Sequence, residues 1–554
     1  MNGAEVLIDE LVAQGVEVVF GHPGGAILPI YDALHGSALR HVLCRHEQGA
    51  AHAADGYARA SGRVGVAFAT SGPGATNLIT GLATAHLDSI PLVAVTGQVA
   101  TTLIGTDAFQ EADIVGTTLP VVKHSYQVRR TEDLRRIMRE AFHIAATGRP
   151  GPVLVDVPKD IQLGAVPPGE PGPLALRGYR LPEAPDPAEV AAAAELCRHA
   201  ERPLLVVGGG AAQAGAAEQA RALQEILGCP VAATLMGLGV FPGDHPAYLG
   251  MLGMHGAPVA NHATAQADLL IAAGIRFDDR VTDDPRRFAP GARIIHIDID
   301  AAEIGKIKRA DVGLAADCRQ ALAALVTTLG VSCRPKPWRP QVDGGYPEET
   351  CGQGSLSGPA SVRALRSACP EPTTVVADVG QHQMWCAQHF TVRAPRRFIT
   401  SGGLGTMGYA LPAAIGVQLA RPDGHVLCVT GDGGLQMTVQ ELATIASLRL
   451  PIVVAVVNNG YLGMVRQWQE LFFRERYSAS ELWNPDFCRL AEAYTIPAER
   501  VRGAGELEDA VRRAFASGGP ALLDVAVTAA ENTWPIVPAG AAVHEMMLPG
   551  GRAG

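Results

Sequence analysis

The stretch that most constrains this chain runs from residue 426 to residue 459. An apolar run of strand length, 426–430, ends in Gly431-Asp432-Gly433-Gly434, after which Leu435, Val439, Leu442, Ala446 and Leu450 recur at helical spacing. Pro451 closes that expected helix ahead of a second apolar run, 452–457, which ends in Asn458-Asn459. Strand, helix and strand in one passage make a βαβ unit, whose two strands are parallel. Parallel strands put both carboxyl ends on one edge of the sheet, where open α/β folds bind ligands. Asp432 and the asparagine pair are therefore expected to meet there.

A carboxylate, an amide oxygen and a main-chain carbonyl are hard donors, too few to enclose an ion and suited to magnesium shared with ligand phosphates. Gly431, Gly433 and Gly434 let backbone N–H groups come close, and a helix starting near Leu435 turns its positive end the same way. The expected ligand is a diphosphate. Gly-Asp-Gly alone also suits an ordinary turn; the Asn-Asn pair after a complete unit is what favours binding. The whole pattern resembles the diphosphate signature of thiamine diphosphate (ThDP) enzymes, and the resemblance implies Mg2+ held by Asp432, Asn459 and the main-chain carbonyl of Tyr461.

The 554 residues suffice for three or four domains, each with its own core. Hydrophobic residues at 47% and charged ones at 18% fit α/β packing and exclude a disordered chain. A net charge of −10 gives no electrostatic reason to expect nucleic acid or an anionic membrane. The ten cysteines show no Cys-x-x-Cys and no zinc spacing, so they are expected to be reduced core residues of a cytoplasmic protein. Val6, Leu7, Leu11 and Val12 open an amphipathic pattern with no basic-then-apolar leader, and no apolar stretch approaches membrane-spanning length.

Three doubly wound parallel-sheet units are expected, at 1–165, 188–330 and 359–540, joined by Pro/Gly-rich linkers around 166–187 and 334–358. In the first unit the expected strands are 17–20, 41–45, 65–70, 91–96 and 153–157, and in the second 203–207, 269–273 and 294–299.

Glu47 follows one of these strands and opens a helix of small residues, Gln48-Gly49-Ala50-Ala51-His52-Ala53-Ala54. A glutamate at a helix start is also what the macrodipole favours. Its surroundings say more, because Arg45-His46-Glu47-Gln48-Gly49-Ala50 resembles the catalytic-glutamate motif of ThDP enzymes and Ser71-Gly72-Pro73-Gly74-Ala75-Thr76-Asn77 resembles their pyrimidine-side loop. The resemblance implies that Glu47 is the buried acid on the cofactor's pyrimidine ring, with Pro73 and Asn77 beside it. It also implies that Met407, in Gly405-Thr406-Met407-Gly408, supports the bent cofactor, with Gly405 next to it, and that Val379, Gly380, Gln381 and His382 flank the diphosphate with Gly463 and Met464 nearby. The acid and the magnesium ligands of one site come from different subunits in that family, so a homodimer or homotetramer is implied.

Along nearly its whole length the chain is similar to the catalytic subunits of the acetolactate synthase family. The most specific strings are Phe20-Gly21-His22-Pro23-Gly24-Gly25, Thr106-Asp107-Ala108-Phe109-Gln110-Glu111, Arg276-Phe277-Asp278-Asp279-Arg280 and Gly463-Met464-Val465-Arg466-Gln467-Trp468-Gln469. The resemblance implies decarboxylation of pyruvate and joining of the remaining two carbons to pyruvate or 2-oxobutyrate. Gln110 is then a catalytic residue, Phe109 faces the substrate, Lys159 supplies positive charge at the entrance, and Met464 and Trp468 shape the acceptor pocket. A regulatory small subunit is an expected partner.

Val207-Gly208-Gly209-Gly210 after a strand is too loose for a dinucleotide fingerprint and is equally well explained by tight packing. The resemblance makes the second unit an FAD site. It implicates Arg149, Gly208, Gly209, Thr234, Leu235, Met254 and His255, together with Gly274, Arg276, Asp278, Arg280, Asp298 and Asp317. The flavin is expected to be structural, since the net reaction has no redox step. Two departures stand out: the family usually carries Ala-Ser where Gly433-Gly434 stand, and an aromatic or aliphatic residue where His22 stands. Rival readings are a pyruvate oxidase, another ThDP-dependent 2-oxo acid decarboxylase or carboligase, and a non-catalytic paralogue.

Overall fold

The computed structural model describes residues 1–167, 169, 172–181, 184–330, 337–342 and 356–549. Most of the linker expected at 334–358, and parts of the one around 166–187, lie outside the described residues.

Three six-stranded sheets succeed one another along the chain, and every strand pair in them is parallel. The first holds β1 (Val18–Gly21), β2 (Arg40–Leu43), β3 (Gly65–Ala69), β4 (Leu92–Gln98), β5 (His124–Gln127) and β6 (Pro152–Pro158), in the order β2-β1-β3-β4-β6-β5. The second holds β7 (Pro203–Val207), β8 (Val231–Ala233), β9 (Tyr248–Met251), β10 (Leu269–Ala273), β11 (Arg293–Asp298) and β12 (Val312–Ala315), in the order β9-β8-β7-β10-β11-β12. The third holds β13 (Thr373–Ala377), β14 (Phe398–Thr400), β15 (His425–Gly431), β16 (Ile452–Asn458), β17 (Ala498–Val501) and β18 (Ala521–Ala526), ordered β14-β13-β15-β16-β18-β17. The third sheet therefore repeats the winding of the first. The second has the order of a doubly wound dinucleotide fold.

Strands β3, β7, β10 and β13 are buried along their full length, as parallel strands covered by helices on both faces must be. This is why the continuous Val/Ile/Leu/Ala runs were legible. The strands that went unexpected in the first two units are β5, β8, β9 and β12: three are outermost and β8 lies next to the edge, and β5 reads His-Ser-Tyr-Gln with no apolar run. The strand expected at 41–45 stops at Leu43, because the N–H groups of Arg45 and His46 turn away to the carboxylate of Glu441. The single helix expected from Leu435 to Leu450 is instead three short pieces, Asp432–Met437, Val439–Glu441 and Leu442–Leu448. Thr438 breaks it with a non-helical φ of −139°, its hydroxyl donating to the carbonyl of Gly408 at 2.8 Å. The apolar period survives because the pieces keep one face inward.

The first and third units share a continuous core. It forms where helix Glu47–Ser61 crosses helix Ala410–Ala420, both dominated by Ala and Gly. A Cβ on Gly56 would collide with the carbonyl of Ala413, and one on Gly416 with the carbonyl of Ala53, so the two backbones touch directly. Among the described residues no helix is long and apolar enough to cross a membrane, and none of the eight described cysteines forms a disulfide. Because the crossing has no room for a side chain, Gly416→Val should destabilise the protein by about 3 kcal/mol or more. Thermal unfolding of the variant beside the parent measures it.

Candidate active site and nucleotide cavity

In sheets of this kind the crevice opens where neighbouring strands send their connections in opposite directions. In the third sheet that point lies between β13 and β15. At their carboxyl ends stand Asp378 to His382 and Gly431 to Gly434, with Asn458 to Gly463 beside them after β16. A cavity of about 60 Å³ opens there, walled by Val379, Gly380, Gln381 and His382, by Gly431, Asp432, Gly433 and Gly434, and by Met407, Asn459, Tyr461, Gly463 and Met464. The residues expected at the diphosphate thus converge.

The carboxylate of Asp432 is buried, with Oδ2 accepting from the N–H of Gly460 at 2.9 Å and from Asn484 Nδ2 at 2.7 Å. Burial pushes its pKa up, and the Asn484 bond works against that. Asn459 Oδ1 accepts from the N–H of Tyr461 at 3.0 Å, while its Nδ2 reaches Gln381 Oε1 at 3.3 Å. Gln381 is fixed in turn by donating to Gln467 Oε1 at 2.9 Å. Burial lowers His382 to about 3, which keeps the ring neutral, and its Nε2 is buried without a hydrogen-bond partner. A Cβ at Gly380 or Gly431 would stand 2.8 Å from that ring. That nitrogen, beside a glycine-lined hollow, is able to hydrogen-bond a bound group.

Two carboxylates hold the loop that carries Met407. Asp378 accepts from Gly408 N–H at 2.9 Å and Ala410 N–H at 3.1 Å. Asp88, from the first unit, accepts from Gly402 N–H at 3.0 Å and Gly403 N–H at 2.7 Å, and is itself paired with Arg59 at 2.7 Å. Arg59 also binds Asp55 at 2.6 Å and the carbonyl of Thr400 at 3.0 Å.

A second cluster gathers on the first unit. Asn77 Nδ2 donates to Glu47 Oε2 at 2.9 Å, and a Cβ at Gly74 would stand 3.2 Å from Glu47 Oε1. Gly72, at φ +59°, packs against Gln110, which itself sits at φ +59°. Pro73 opens the short helix Pro73–Asn77. Lys159 begins the helix Lys159–Leu163 and is exposed, as is Phe109 at 88%. None of Glu47, Pro73, Asn77, Phe109, Gln110 or Lys159 lines the Asp432 cavity.

A larger cavity of about 740 Å³ lies at the switch point of the second sheet, between β7 and β10. Its wall includes Arg149, Gly209, Thr234, Leu235, Met254, His255, Gly274, Arg276, Asp278, Arg280, Asp298 and Asp317. Gly208 is not in its wall, and a Cβ there would strike Gly274 and Ile275, which is tight packing; Gly209 lines the cavity. Asp278 caps the helix Asp279–Thr282 and Asp317 caps Cys318–Leu329. Asp298 is pushed to about 6 by burial, and Arg149 pairs with Glu303 at 2.8 Å. Gly405, Met464 and Trp468 also line this cavity, and Val379 and Met464 border both.

Three thiamine pyrophosphate enzyme models match the chain: the N-terminal TPP binding domain over residues 1–117, the central domain over 190–325 and the C-terminal TPP binding domain over 378–525. The acetolactate synthase isozyme 2 large subunit of Escherichia coli (strain K12) is 49% identical over 560 residues, covering 99% of each chain. The acetolactate synthase large subunit of Parasynechococcus marenigrum (strain WH8102) is also 49% identical, over 99% of this chain and 91% of its own. The probable large subunit of Methanocaldococcus jannaschii is 46% identical over 99% and 95%. The chain belongs to the acetolactate synthase large-subunit family.

For a member of that family, the residues that sequence reasoning missed are supporting ones. Asn484, 52 positions beyond Asp432, and the carboxylates of Asp88 and Asp378 carry no local motif. Only Asp378 adjoins residues already singled out, Val379 to His382. The folded-state pKa of Asp378 is raised to about 6, chiefly by burial, from an ordinary 3.8. Ionising it therefore costs stability as pH rises from about 4 to about 6 and nothing further above that. Asp378→Asn lacks this titration, so its stability relative to the parent should improve across that window and be flat above it. Thermal unfolding of both proteins from pH 4 to 7.5 reads the difference.

Proposed function

We propose that the chain is the catalytic subunit of an acetolactate synthase, which decarboxylates pyruvate and joins the remaining two-carbon unit to pyruvate or 2-oxobutyrate in branched-chain amino acid biosynthesis. The observation that carries this reading is the Asp432 cavity: a buried carboxylate, an amide, a chain carbonyl and an unpartnered imidazole nitrogen gathered at a switch point, in a chain of this family. We assign ThDP and Mg2+ to it, with Asp432, Asn459 and the carbonyl of Tyr461 as the metal's protein ligands. The donor set fits, since a carboxylate, an amide oxygen and a main-chain carbonyl are hard donors too few to enclose the ion, and a diphosphate would complete the shell. Bound ThDP supplies the nucleophilic carbon and electron sink that 2-oxo acid decarboxylation needs.

The chain's own groups then divide the work. His382, the Gly431–Gly434 N–H groups and the helix starting at Asp432 hold the diphosphate, while Met407 supports the cofactor's bend. The Glu47 carboxyl, oriented by Asn77, would hold a proton against the pyrimidine ring of bound ThDP. Gln110 and Phe109 face the substrate, Lys159 draws in its carboxylate, and Met464 and Trp468 shape the acceptor side.

Glu47 lines neither cavity of its own chain, and rings such as Phe109 and Trp483 stand 88% and 89% exposed. Both facts support a homodimer or homotetramer in which one chain's acid completes its partner's site. The 740 Å³ cavity, within the usual range for cofactor sites, supports a structural FAD. The name "large subunit" borne by relatives supports a regulatory small subunit here. We assign the three units, 1–165, 188–330 and 359–540, to the pyrimidine, flavin and diphosphate respectively, and the protein to the cytoplasm.

Purified protein given ThDP, Mg2+, FAD and pyruvate should form acetolactate, detected by acid conversion to acetoin. Glu47→Gln should lower kcat by about a hundredfold or more. Asp432→Ala should raise the Mg2+ concentration needed for half activity. Rapid bleaching of the flavin by pyruvate under anaerobic conditions, at the turnover rate, would instead identify an oxidase.

A further inference from the structure

The start of the Glu47 helix is held by a carboxylate from the third unit. Glu441 sits on the single 3-10 turn Val439–Glu441 and is fully buried, at 0% exposure. Its Oε1 accepts from the N–H of Arg45 at 2.9 Å and of His46 at 3.0 Å, the two residues immediately before Glu47. The Thr444 hydroxyl lies 2.8 Å from Glu441 Oε2 and 3.1 Å from the carbonyl of Leu43. Gly49 admits this approach, because a Cβ there would stand 2.5 Å from Oε1. A buried carboxylate is costly unless hydrogen-bonded, and here its partners are all groups of, or next to, one backbone turn. Glu441 lines neither cavity.

We propose that Glu441 is a positioning residue for Glu47: by taking the N–H groups of Arg45 and His46 it ends β2 and fixes the point at which the Glu47 helix begins. The geometry makes the acid of the site depend on its own chain's third unit, although the cofactor that it serves is held by the partner's. The inference rests on Glu47 being the ring-side acid.

The test uses the full-length holoenzyme with ThDP, Mg2+ and FAD and no pyruvate. Hydrogen–deuterium exchange at the thiazolium carbon of bound ThDP, followed by quenched-flow NMR, reports how well the acid is placed, and calorimetry reports ThDP affinity. Glu441→Ala should slow exchange by about tenfold to a hundredfold and leave affinity unchanged. Glu441→Gln, which keeps an oxygen for both N–H groups, should exchange at close to the parental rate. Gly49→Ala, which pushes the carboxylate aside without removing it, should be slowed like Glu441→Ala, and it decides the matter if that variant does not fold. Parental exchange in Glu441→Ala or Gly49→Ala, equal losses in the Gln and Ala variants, or affinity falling in step with exchange overturns the proposal. Glu47→Gln is the control: if it too exchanges at the parental rate, the assignment of the acid has failed, not its positioning.

Discussion

The crossing of helices Glu47–Ser61 and Ala410–Ala420 is the constraint on which the rest depends. Glycine and alanine leave the two backbones in contact, at Gly56 against Ala413 and Gly416 against Ala53, and this fuses the first and third units into one core. Both helices begin next to candidate site residues. The first opens with Glu47; the second follows the loop that carries Met407. Fixing one against the other therefore fixes Glu47 relative to the Met407 loop of its own chain. Arg59, Asp55 and Asp88 reinforce the contact with a buried ion-pair network that ends on the N–H groups of Gly402 and Gly403. Such a network is costly to bury unless every member is satisfied, and here the remaining partners are a backbone carbonyl and the hydroxyl of Tyr409.

Much of this was legible in the sequence because parallel strands buried on both faces are spelled as unbroken apolar runs. β7 and β10 fall on the expected residues, and the strand bearing Asp432 differs only at its ends. Edge strands such as β5 are not spelled that way, since pairing on one side and polar side chains on the other erase the pattern. The helix after Asp432 was read as continuous because periodicity reports which face is buried and says nothing about a hydroxyl, that of Thr438, pulling the backbone toward Gly408.

The same division applies to the site. Asp432, Asn459 and the glycines between strand and helix share one βαβ unit, so their meeting follows from topology alone. Asn484, Asp88 and Glu441 act on partners 52, 315 and 396 positions away at their longest reach, and such pairings exist only once the units are packed. Local spacing can propose a carboxylate that meets a cofactor; it cannot propose one that meets another segment's N–H groups.

The glycine pair after Asp432 shows how far such packing governs even residues in the wall of the candidate site. Read as a family departure, Gly433-Gly434 forgoes the Ala-Ser side chains near the diphosphate. In the fold, a Cβ at Gly434 would stand 2.9 Å from Thr430 Oγ1 and 3.1 Å from the carboxyl of Asp378, and one at Gly433 would stand 2.8 Å from Leu462. A serine at 434 would thus press on the very carboxylate that holds Gly408 and Ala410. The absence of a side chain at 434 leaves room for the Asp378 carboxyl beneath the turn, and that carboxyl in turn holds the N–H groups of the loop after Met407, so the glycine, the acid and the loop are packed as one unit.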